Sequence, residues 1–311
     1  MLSRVAARFY WGARYLERAE NTSRLVRVYD NLMLDLPPEA GVSWPLLVDI
    51  VGAGELFRSS TPKVTDHATL RFLLADPANP GSVLASLEQG RENFRTTRDL
   101  APSEAWRSVN ELCLYARKKV PQAVSQRRRQ EVLGDIIEGV QQIRGLMADA
   151  MSHTEPYQFI RLGRNIERSD MTTRIIDAAS VTLLAGRTEL RRFDNTLWMA
   201  VLRSLSAYQM YRQSVRRRVH PDDVVAFLLK DPHFPRSFYR CLHQVESAAE
   251  DLPNHSEVVR TVARLRRLVS ERDLKQDDAG SLHDFLDELQ LELSNLHRQI
   301  ASVWFLQDAG K

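Results

Sequence analysis

Two stretches of this chain carry charged residues at spacings that could do chemistry. In the first, Arg14, Glu17, Arg18 and Arg24 follow one another at helical intervals, and in the second Arg164, Glu167, Arg168 and Arg174 repeat the series. On a helical wheel Arg14, Glu17, Arg18, Asn21 and Arg24 share one arc of about 120°, opposite Val5, Phe9, Leu16, Ala19 and Val26. In the second stretch Phe159, Leu162, Ile166 and Ile176 fill the opposite arc. Guanidiniums grouped this way can hold a carboxylate or phosphate by charge-assisted forks. A glutamate among them can orient the guanidiniums, take a substrate amine, or act as a general base if burial tunes it.

The same residues could form ordinary solvent-facing ion pairs, each worth only ~0.2–0.5 kcal/mol. The repetition argues against that. Arg, Glu, Arg and Arg recur in both stretches while neighbouring positions change: Tyr10 to Ile160, Tyr15 to Asn165, Ala19 to Ser169. The charged arc is therefore expected to be buried or functional, where two halves of the molecule meet. There reciprocal Arg–Glu sets would neutralise each other, since stranding one member of a buried pair costs ~3–5 kcal/mol. A structural charge network and an anion- or carboxylate-binding site both stay open.

Other chemistry is bounded by what the sequence lacks. It has no G-x-x-x-x-G-K-[ST] phosphate loop, no G-x-G-x-x-G and no G-x-S-x-G. No glutamate stands three residues before any histidine, and H-E-x-x-H is missing, so neither a di-iron bundle site nor that zinc site is expected. No cofactor and no metal site are expected. His220, Asp222 and Asp223 read more simply as a helix start than as ligands. Cys113 and Cys241 read as buried helix residues, and Asp76-Pro77 and Asp231-Pro232 as turns. The runs at 127–129, 191–192, 216–218 and 266–267 are basic, but without aromatic interleaving they read as solvated faces, which disfavours nucleic acid.

The elements that must position these groups are helices. Prolines sit in short connecting stretches, none falls between Pro156 and Pro221, and no run alternates β-branched residues. Helices are expected near 3–34, 44–54, 66–75, 81–98, 103–119, 126–152, 156–184, 194–218, 222–230, 236–250, 255–271 and 281–307. Ser3, Asp66, Ser103, Asp222 and Ser281 are the expected N-caps.

The chain also matches itself. Phe9 to Arg24 aligns with Phe159 to Arg174 at an offset of 150 residues. FLLADPANPGS from Phe72 aligns with FLLKDPHFPRS from Phe227 at an offset of 155, and Trp44 with Trp198 at 154. Ser103 to Leu112 aligns with Ser256 to Leu265 at 153, and Leu133 to Gln141 with Leu282 to Gln290 at 149. Blocks in one order with small drifts imply internal duplication. The fold expected is all-α, a helical bundle of two tandem halves, 1–152 and 153–311, related by a pseudo-twofold axis.

Composition agrees with a globular chain: 311 residues, 43% hydrophobic, 27% charged, net charge +3. That small charge argues for neither nucleic acid nor membrane. Of 43 basic residues only six are lysine. Two cysteines cannot build a disulfide framework, and no run reaches the ~20 apolar residues of a membrane span. A cytoplasmic location is expected.

The segment MLSRVAARFYWGARYLERAENTSRLVRVYDN resembles the alpha-E family, bacterial all-helical proteins named for an ER motif. LGRNIERSDMTTRII, the paired F-L-L-x-D-P-x-x-P-x-S blocks and GRENFR fit as well, so the resemblance covers essentially the whole chain. The family usually reads Tyr-Trp-x-Gly-Arg; here Gly12 comes one position early and Ala13 precedes Arg14, while the second copy keeps Gly163 before Arg164. The resemblance implies a system that makes or modifies a peptide or amide bond. In it the chain would partner a circularly permuted ATP-grasp ligase-like protein, often beside a transglutaminase-like peptidase, and would bind a peptide or amino-acid substrate. Two other readings stay open: an enzyme with Glu17 or Glu167 as acid/base, and an Arg-rich nucleic-acid binder.

Overall fold

The computed structural model describes residues 2–37, 42–184, 193–274 and 277–305. Among these residues the chain is all-α, with no strand. The helices are α1 (Ser3–Asp35), α2 (Leu46–Ile50), α3 (Gly54–Ser60), α4 (Asp66–Leu74), α5 (Val83–Arg95), α6 (Ser103–Lys119) and α7 (Gln126–Ala150). They continue as α8 (Glu155–Leu184), α9 (Asp194–Ser204), α10 (Tyr208–Val215), α11 (Pro221–Lys230), α12 (Phe238–Glu250), α13 (Ser256–Glu271) and α14 (Ala279–Trp304).

Two long helices, α1 and α8, cross at the centre, and the rest wrap them. α5 and α7 cover α1, α12 and α14 cover α8, α6 packs on α5 and α7, and α13 packs on α12 and α14. A helix buried on one side only is amphipathic. α1 instead buries both arcs: its apolar arc meets α5, where the Phe9 and Phe94 rings sit 6.1 Å apart, and its charged arc meets α8. The crossing is close because Gly163 faces the α1 backbone. A Cβ there would lie 2.1 Å from the Tyr10 carbonyl oxygen. Gly12 does different work, lying under the Phe94 ring, 2.9 Å from where its Cβ would stand.

The helix expected over 44–54 ends at Ile50 and an unexpected one, α3, starts at Gly54, while the span expected at 194–218 breaks into α9 and α10. Gly52 (φ 71°) and Ser206 (φ 55°) take left-handed conformations. Ala53 N–H then donates to the Val48 carbonyl (2.9 Å) and Ala207 N–H to the Leu202 carbonyl (2.7 Å). These are the six-to-one bonds of a Schellman ending, which stops one helix and sends the chain into the next.

Several expected caps shift by a few residues. α4 is capped by Thr65, whose hydroxyl accepts from Ala68 N–H (3.1 Å), and α14 by Asp278, which accepts from Ser281 N–H (2.8 Å). The residues flanking α1, α6 and α11 on the N-terminal side are Leu2, Pro102 and His220, so Ser3, Ser103 and Asp222 lie inside their helices. The two D-P-x-x-P-x-S loops are built alike. The Asp76 carboxylate accepts from Ala78 N–H (2.9 Å), and Asp231 from His233 and Phe234 N–H (2.8 and 2.7 Å). Ser82 and Ser237 then cap α5 and α12. Cys113 and Cys241 are buried and unbridged.

Candidate functional site

Where α1 crosses α8, the charged arcs interlock. Arg14 Nε donates to Glu167 Oε2 (2.7 Å), and Arg18 donates from Nε to Oε1 (2.6 Å) and from Nη2 to Oε2 (3.1 Å). In return Arg168 Nε donates to Glu17 Oε1 (2.8 Å). Two further arginines reach Glu17: Arg236 from the loop before α12 (2.7 Å) and Arg144 from α7 (3.1 Å). Glu20, fully buried, accepts from Arg24 (2.7 Å), Arg144 (2.8 Å) and Arg236 (2.8 Å). Among the described residues Asp170, at the position aligned with Glu20, pairs only with Arg174 (2.9 Å).

Burial by itself would raise the pKa of a carboxylic acid. The guanidiniums outweigh it. Arg168, Arg236 and Arg144 hold Glu17 far below the ordinary carboxylate range, and Arg18 and Arg14 bring Glu167 down to about 2. Both stay ionised at neutral pH and have little basicity to offer. Arg164 differs from the other arginines. It makes no hydrogen bond or ion pair among the described residues, and its Nε is buried without a partner. Burial, and after it the Arg168 charge, press it down to about 10, so it remains a cation at neutral pH.

A cleft opens on each side of the lattice. One, of about 480 Å³, is floored by Glu20 and ringed by Arg24, Arg144, Arg164, Arg168 and Arg236. The other, of about 250 Å³, is lined by Arg14, Arg18, Arg174, Glu167, Asp170 and His297. Their rims correspond: Ser206 edges the first and Gly52 the second, the two left-handed turns. His297 stacks on Tyr10, its Nδ1 2.8 Å from the Tyr10 hydroxyl oxygen, while Arg14 lies over the Trp11 ring. Burial, and then Arg14, depress His297 to about 4, so it is neutral at pH 7.

The dipeptides Glu17-Arg18 and Glu167-Arg168, each gripping the other, are the heart of this arrangement. A family model, Alpha-E, described as a predicted alpha-helical domain with a conserved ER motif, matches residues 1–305. The chain belongs to the Alpha-E family. Uncharacterized proteins of Mycobacterium bovis and Mycobacterium tuberculosis are 24% identical over 325 residues, covering 96% of this chain and 36% of theirs. This Alpha-E chain therefore spans about a third of the length of those relatives. No solved structure matches it.

Of the eight residues singled out in the sequence, five meet across the Alpha-E crossing: Arg14, Glu17, Arg18, Glu167 and Arg168. Arg24 and Arg174 pair within their own helices, with Glu20 and Asp170. Arg164 pairs with nothing described. Sequence reasoning singled out none of Glu20, Asp170, Arg144, Arg236 and His297. A signal for Arg236 existed: it aligns with Gly81 in a loop whose Asp, Pro, Pro and Ser positions match.

The basic runs are not uniformly solvated. Arg129 is buried against Asp30, and Arg266 pairs with Glu246. Residues 191–192 lie outside the described residues. His220 and Asp222 approach only to 3.7 Å. A different trio, Asp177, His283 and Asp287, lies close enough to share an ion, with His283 Nδ1 2.6 Å from Asp177. No described helix is long and apolar enough to cross a membrane.

Proposed function

We propose that this chain is the non-catalytic, substrate-binding partner of a circularly permuted ATP-grasp ligase in a peptide- or amide-bond-forming system. A transglutaminase-like peptidase would work beside it. The reading carries with it an internally duplicated chain, with halves 1–152 and 153–311, and a cytoplasmic location, where ATP is at hand.

The carrying observation is the unpaired Arg164 in a cleft of five arginines around one glutamate. A half-buried cation whose Nε is sealed from water without a partner is costly, and a carboxylate or phosphate arriving there recovers that cost by charge-assisted hydrogen bonds. Amide-bond formation needs a carboxylate held in place, and this cleft suits the free carboxylate of a peptide. The longer mycobacterial relatives, in which the matched region is 36% of the chain, fit a domain that works beside another unit. Acid/base chemistry by Glu17 or Glu167 finds no support, because each is ionised and saturated by guanidiniums.

Calorimetric titration tests this reading. A short peptide with a free C-terminal carboxylate should bind at least tenfold more tightly than its amide. Arg164→Gln should remove that preference without lowering the melting temperature, and the ATP-grasp protein should co-purify with the chain. Equal binding of acid and amide, or no binding of either, would sink the idea.

A further inference from the structure

The two clefts differ most at one loop position. In the larger cleft Arg236 bridges Glu17, Asn21 and Glu20 at 2.7–2.8 Å. The aligned residue in the other loop is Gly81, and the carboxylates aligned with Glu17 and Glu20 are Glu167 and Asp170. No side chain extends from Gly81 towards them. Arg144, the other arginine shared by Glu17 and Glu20, aligns with Leu293. The space that Arg236 fills on one side is thus part of the 250 Å³ cavity on the other.

That cavity keeps unspent hydrogen-bonding groups of both signs. Asp170 takes Arg174 on Oδ2, and its Oδ1 accepts nothing among the described residues. Arg174 spends only Nε, leaving both Nη groups free, and Gly52 gives it room, since a Cβ there would stand 2.7 Å from Nη1. Arg18 has Nη1 to spare. Thr22 Oγ is buried without a partner, whereas the aligned Thr172 donates to the Arg236 carbonyl (2.9 Å).

A lone anion in this cavity would face Asp170 and Glu167, and a lone cation would face three guanidiniums. A small molecule carrying one charge of each sign satisfies both sets. A cavity of about 250 Å³ lined by these few groups suits a small molecule. We propose that the cleft beside Gly81 binds a free α-amino acid, its carboxylate on Arg174 and Arg18 and its ammonium on Asp170. This rests on the partner reading above and supplies the amine component of the same chemistry.

The twenty amino acids, acetate and methylamine would be titrated separately into the full chain. At least one amino acid should bind tenfold or more tighter than either acetate or methylamine. Gly81→Arg, whose Cβ stands 3.2 Å from Asn79 Oδ1 and needs only a small adjustment there, should cut that binding at least tenfold by supplying the missing guanidinium. Asp170→Asn tests the ammonium contact without filling the cavity and should narrow the gap between amino acid and acetate. Binding by no amino acid, acetate binding as tightly, or Gly81→Arg and Asp170→Asn both without effect would overturn the proposal. Peptide-carboxylate binding reads out the other cleft through Arg164→Gln, so the two ideas fail separately.

Discussion

The clefts on either side of the α1–α8 crossing share their helices and their ER dipeptides, yet their carboxylates are met from different numbers of elements. At the first, Glu17 and Glu20 are met by guanidiniums from α1, α7, α8 and the loop before α12. At the second, Glu167 and Asp170 are met only from α1 and α8. Two positions account for this difference: the loop residue that is Arg236 on one side and Gly81 on the other, and the helix residue that is Arg144 in α7 and Leu293 in α14. The ER lattice sets the frame, and those two positions decide what each side can accept.

The strongest way to break the comparison is to remove each glutamate. Glu167→Gln strands Arg14 and Arg18, which pair with no other described carboxylate, and should cost about 3–5 kcal/mol in urea unfolding, the range for uncompensated buried charge. Glu17→Gln strands only Arg168, because Arg144 and Arg236 keep Glu20, and should cost less. Equal losses, or the reverse order, would show that Glu20 does not stand in for Glu17.

Next in size is the crossing itself. Gly163→Ala puts a methyl against the Tyr10 carbonyl and should destabilise the chain by about 1–3 kcal/mol or more through overpacking. Ala13→Gly, at the aligned position on α1, should cost only about 0.5–1 kcal/mol, the ordinary backbone penalty. The pair of thermal melts therefore tells whether the close approach belongs to one helix alone.

The smallest effect sharpens the comparison by pH, because a histidine lines only one of the two clefts. His297 has its pKa depressed from 6.5 to about 4, so the unfolded chain binds the proton more readily between those values. Its contribution is complete above pH 6.5 and is lost as pH falls towards 4. His297→Gln should flatten the melting temperature over that window. The ER glutamates, also depressed, act lower: their contribution is complete above about 4.5 and drains away towards pH 2.

Much of this was legible in the chain. The all-α fold followed from proline placement and helical periodicity, and the repeated charged arc marked the buried crossing. The break at Ser206 was not legible, because Leu205 and Ala207 flank it and a left-handed serine has no local signature, whereas Gly52, two residues before Gly54, was a readable stop that the span to 54 overran. The caps slipped because Thr65 and Asp278 compete with equally suitable neighbours.

What the sequence determined by itself is local or repetitive: helices, turns, and which arc of α1 and α8 carries charge. Partner choice was decided only in three dimensions. Arg18 and Arg168 look like Arg24 and Arg174 on a wheel, yet the first two cross to the opposite helix and the last two stay at home. The approach at Gly163 fixes which turns face each other, and an ion pair forms only where a side chain can reach. Arg144 and Arg236 arrive from 127 and 219 residues away from Glu17. Separations of that size leave no periodic trace, so packing alone brought those charges together and left Arg164 and the Gly81 cleft without partners.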